Sequence, residues 1–85
     1  MTSEDASRVD STIREYVFTR FPSVRALRVS DEDSLLDAQL IDSLGVLDIV
    51  VFLEDTFGIQ VADDELNADN FDSIGALVRF VLRKR

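Results

Sequence analysis

The apolar positions of this chain fall into three stretches with a helical period, separated by segments where no period holds. Val9, Ile13, Tyr16 and Val17 recur at helical spacing and predict a first helix over 5–20, with Ser3 or Asp5 able to cap its start. Phe21-Pro22 ends it, because the residue before a proline is pushed out of the helical region. Residues 22–42 then form a long connection anchored by Leu27, Val29, Leu35, Leu36 and Leu40, with one or two short turns expected near Leu35-Leu36. Val46, Ile49, Val50, Leu53 and Phe57 form the inner stripe of a second helix over 43–57, and Gly58 is placed to close it. Ile59-Gln60-Val61 reads as a short extended link, and 62–66 as a single helical turn opening on acidic residues. Ile74, Leu77, Val78, Val81 and Leu82 predict a last long helix over 73–83, capped by Asp72 or Ser73. The pattern gives an all-α fold of three main helices and one short one, in a single domain over 1–85, with no strands.

The second helix has more apolar residues than one face needs. Leu44, Leu47 and Val51 form a second strip, flanked by Asp48, Glu54 and Asp55. A helix packed on both sides would carry such a strip. So would a helix with a protein-docking face, where apolar residues are rimmed by charge.

Charge sharpens that choice. The chain carries 17 acidic and 9 basic residues, net −8. From Asp31 to Asp72 every charged residue is acidic, whereas Arg79, Arg83, Lys84 and Arg85 close the chain. Such a block repels nucleic acid and anionic membrane and steers toward basic protein surfaces, although it also serves simply as a soluble face. The polar N-terminus has no basic-then-apolar leader, and no apolar run approaches the roughly 18 residues of a membrane span. These features point to a cytoplasmic monomer without nucleic-acid or stable membrane binding.

Candidate chemistry is sparse. Cysteine and histidine are absent, which removes disulfides, the usual zinc ligands and the commonest nucleophile and base pairs. No catalytic residue and no metal ligand is assigned. An EF-hand beginning at Asp31 fails, since it would need an oxygen ligand at Leu35, glycine at Leu36 and glutamate at Asp42. Ser43 remains, at the junction of the long connection and the second helix. A hydroxyl there meets the positive end of the helix dipole, a favourable place for a phosphate-linked group. Asp42 or Ser43 also serves as an ordinary N-cap.

Taken in order, Leu35-Leu36-Asp37, Leu40-Ile41-Asp42-Ser43-Leu44-Gly45, Leu53-Glu54-Asp55-Thr56-Phe57-Gly58-Ile59, Asp63-Asp64-Glu65-Leu66 and Asn70-Phe71-Asp72-Ser73-Ile74 resemble the acyl and peptidyl carrier proteins over about residues 9–83. The resemblance implies a four-helix bundle with a long first loop. It also implies 4′-phosphopantetheine on Ser43, within the motif formed with Asp42 and Leu44. A magnesium-dependent phosphopantetheinyl transferase would supply this arm from coenzyme A, and its thiol would hold a cargo as a thioester. Partners would be an acyl- or aminoacyl-loading ligase and downstream synthases or transferases with basic docking patches, reading Leu44, Leu47, Asp48, Val51, Glu54 and Asp55. Fatty-acid-synthase carriers often place an acidic residue where this chain has Gly45. The resemblance is therefore nearer to D-alanyl and free-standing specialised carriers. A fatty-acid carrier and an acidic helical adaptor without a cofactor stand as the alternatives.

Overall fold

The computed structural model describes residues 3–36 and 40–84. Helix α1 (Ser3–Arg20) is followed by α2 (Pro22–Ala26), α3 (Ser43–Phe57), a 3₁₀ turn (Asp63–Glu65), α4 (Ala68–Phe71) and α5 (Ile74–Lys84). The architecture is all-α, as its periodicity predicts, and no strand occurs among the described residues. The capping role expected of Ser3 or Asp5, and Asp37 of the Leu35-Leu36-Asp37 segment, lie outside the described side chains.

Two short helices go beyond the periodic pattern. Phe21-Pro22 does end α1, but Pro22 also begins α2, because proline at a first helical position lacks only an N–H that would be unpaired anyway. Helix α4 starts where the Asn67 side chain accepts a hydrogen bond from the Asn70 N–H at 3.1 Å. Four residues hold too little periodic signal to be read from the sequence.

The core is built by α1, α3 and α5 together with the loop. Val9, Ile13 and Val17 of α1, Ile49 and Leu53 of α3, and Ile74, Leu77, Phe80 and Val81 of α5 are buried, with Val24, Leu35, Ile41 and Phe71 between them. Helix α1 packs against α5 and α2, and α4 against α5. Tyr16 stacks on Phe52 at 3.9 Å between ring centroids, which ties α3 to α1. Gly58 closes α3 in the left-handed region, φ 67°, its N–H donating to the Glu54 carbonyl at 3.0 Å.

The long loop is fixed onto the start of α5. Gly75 N–H donates to the Asp31 carbonyl at 2.7 Å, and Leu35 N–H to the Asp72 carbonyl at 2.6 Å. The Asp72 carboxylate accepts from the Ser34 hydroxyl at 2.6 Å and the Leu36 N–H at 3.3 Å. Asp72 is thus committed to the loop. Ser73 caps α5 instead, its hydroxyl accepting from the Ala76 N–H at 3.0 Å.

Candidate functional site at the head of the third helix

The head of α3 is anchored from below. Ile41 is buried, and the extended Asp42 caps the helix by accepting from the Gly45 N–H at 2.9 Å. Gly45 is buried as well. A Cβ there would lie 2.8 Å from an Ile41 methyl and 2.9 Å from the Phe21 ring, so glycine lets α3 approach both. Residue 43 is the first of the helix, and its side chain lies outside those described. The first-turn N–H groups of any helix lack intrahelical partners and favour an anion. The residues on either side, Asp42 and Leu44, are exposed.

A second Asp-Ser-Leu tripeptide, Asp33-Ser34-Leu35, escapes sequence reasoning. The fold separates the two. Ser34 is half-buried with its hydroxyl on Asp72, and Leu35 belongs to the core, whereas Leu44 is 72% exposed. The usable signal lies downstream of each tripeptide, since only after Ser43 does a helical apolar period begin.

Leu44, Leu47 and Val51 remain exposed, at 72%, 52% and 56%. The reading in which α3 is packed on both sides is set aside by this geometry. The acidic residues of that face differ from one another. Asp55 is exposed. Asp48 is half-buried and ion-paired with Arg20. The Glu54 carboxylate accepts from the Val61 N–H at 3.0 Å and so holds the link that follows the helix. Neither tie was visible in the linear pattern, because Arg20 and Val61 lie far from a helical neighbour position. Tyr16 donates its hydroxyl to the Asp48 carbonyl at 3.3 Å. Burial, and then the Asp48 charge, push its pKa above the ordinary value. On the other side of the strip, Leu36, Val46, Leu47, Leu66 and Phe71 line a shallow apolar pocket of about 230 Å³.

Residues 11–81 match the family model described as phosphopantetheine attachment site. The chain belongs to this family. It is also 34% identical over 73 residues, covering 86% of this chain and 90% of the relative, to the D-alanyl carrier proteins of Streptococcus pyogenes serotype M5 (strain Manfredo), serotype M49 (strain NZ131) and serotype M1. This family member is accordingly a carrier protein of the kind that holds an acyl or aminoacyl group on a covalently attached 4′-phosphopantetheine, nearer to D-alanyl-type carriers than to those of fatty-acid synthesis. No helix among the described residues is long and apolar enough to cross a membrane.

Proposed function

We propose that Ser43 is the attachment residue, with Asp42 and Leu44 completing its motif, and that residues 1–85 form one carrier domain that serves a specialised pathway in the cytoplasm. The observation that carries this is the position of residue 43. It opens a 15-residue helix whose cap and floor are fixed, between two exposed neighbours. A phosphodiester fits this position. The helix dipole and unpaired first-turn N–H groups favour its charge, and the exposed flanks leave room for a bulky substituent. When bound, the arm supplies a thiol that holds the cargo as a thioester.

The chain's own residues position and present that group; none acts as a catalyst. Asp42 and Gly45 hold the helix head in register, which fixes where the arm is rooted. Leu44, Leu47, Asp48, Val51, Glu54 and Asp55 offer partners an apolar strip with an acidic rim, complementary to the basic docking patches expected of a transferase, a loading ligase and a downstream synthase. A docked carrier keeps its tethered thiol at high local concentration near each active site. A small aminoacyl cargo is favoured, because the relatives are named D-alanyl carrier proteins.

The test is intact-protein mass after incubation with coenzyme A, magnesium and a broad-specificity phosphopantetheinyl transferase. One phosphopantetheine is expected on wild type and none on Ser43→Ala. An unmodified, folded wild type would favour the cofactor-free adaptor.

A further inference from the structure

A basic residue interrupts the acidic face of α3. Arg20, the last residue of α1, reaches across to the Asp48 carboxylate, with side-chain exposures of 53% and 44%. Its guanidinium also lies 5.3 Å from the centroid of the Phe21 ring. Two surface grooves run beside α3, and Arg20 and Asp48 line both. The groove toward the helix head includes Phe21, Asp42, Leu44 and Gly45. The groove toward its tail includes Tyr16, Val51, Phe52 and Asp55. The ion pair therefore stands as a bridge between them, in the middle of the face on which Leu44 and Val51 are exposed.

This placement matters more than the strength of the pair. Exposed ion pairs are weak and screened by salt, so an incoming partner can replace either half. A partner surface that is only basic meets Asp48 already neutralised and Arg20 as a like charge, which costs affinity. A surface carrying a carboxylate beside a basic group satisfies Arg20 and Asp48 together and opens the two grooves to its apolar side chains.

We propose that Arg20 is a specificity-determining residue of this docking face: it withholds Asp48 from purely basic surfaces and selects partner enzymes that set a carboxylate beside a basic group. The proposal rests on the reading of α3 as the docking face of a carrier modified at Ser43.

The test uses the full apo chain and a phosphopantetheinyl transferase with a purely basic carrier-binding surface as probe. Binding is read by anisotropy without coenzyme A, and modification by mass with it. Arg20→Gln is expected to lower the Kd roughly three- to tenfold and to steepen its dependence on salt. Arg20→Lys should match wild type, and Arg83→Gln, the same charge change at the end of α5, should leave Kd unchanged. In an Asp48→Asn background the gain from Arg20→Gln should shrink to the part due to removing a like charge, because the ion pair it releases is gone; melting curves check that each variant is folded. Equal Kd for wild type and Arg20→Gln, or the same gain with Asp48→Asn present, overturns the proposal while normal modification at Ser43 leaves the carrier reading intact. Tighter binding by Arg20→Gln without any modification of wild type would instead support the docking inference and remove the attachment site from Ser43. Absence of both binding and modification in every variant would overturn both.

Discussion

Ser34→Ala and Ser43→Ala are expected to give opposite results. The Ser34 hydroxyl bonds a carboxylate that also organises the loop, so its loss should cost about 1–3 kcal/mol of stability while mass analysis still shows modification. Ser43→Ala should stay folded and unmodified. Glu54→Lys carries a second lesson of this kind. It removes the acceptor of the Val61 N–H as well as a charge of the proposed docking face, so it should lower the melting temperature along with partner affinity. Glu54→Gln keeps an acceptor oxygen and should separate the two effects. Asp31 offers a test by pH. Its hydrogen bond with Asp10, and then burial, raise its pKa above the ordinary carboxylate value, against the pull of Arg14. The folded state therefore takes up this proton before the unfolded state does, and this group's contribution to stability grows as pH falls through the raised value. Asp31→Asn should raise the melting temperature most near neutral pH, with the gain shrinking toward about pH 4. A difference constant over that range would show that Asp31 does not titrate in this way.

At the scale of elements, α3 is where periodicity and structure agree most closely. Its bounds, its buried Ile49 and Leu53, its outward Leu44, Leu47 and Val51 and its closing glycine all derive from the 3.6-residue period and from capping chemistry. Leu53→Ala should cost about 2–5 kcal/mol in a denaturant melt, and Phe57→Ala less, since Phe57 is only half-buried. Asp42→Ala should cost about 1 kcal/mol through the lost cap. Helices α2 and α4 were illegible because they are shorter than two turns and are held by local devices, a proline and an asparagine cap. The site was legible as far as one element could show it. Ser43 and the exposed strip belong to α3, whereas the ties of Asp48 to Arg20, Glu54 to Val61 and Gly45 to Phe21 join different segments. Gly45 illustrates the gap. In the sequence it marks a departure from an acidic pattern; in the fold it faces inward against an aromatic ring, where a glutamate would be buried.

Across the whole molecule, charge segregated along the chain is paired in space. Arg14 meets Asp31, Arg20 meets Asp48, Arg79 meets Glu32 and Lys84 meets Glu65, so both basic ends fold back on the acidic middle. Glu65 keeps its pKa below the ordinary value through the Ala62 N–H, and then Lys84. Its contribution is present at neutral pH and disappears as pH falls through that depressed value, opposite in sign to Asp31. The packing of α1 against α5 also has a consequence in time. A chain made from its amino end presents Val9, Ile13 and Val17 long before Ile74, Leu77, Phe80 and Val81 exist to cover them. The fold must then wait for α5, and no stable core can begin before that helix has been made. A chain stopped before Ile74 should remain largely unstructured by circular dichroism, and a separate α5 peptide added to it should restore helicity.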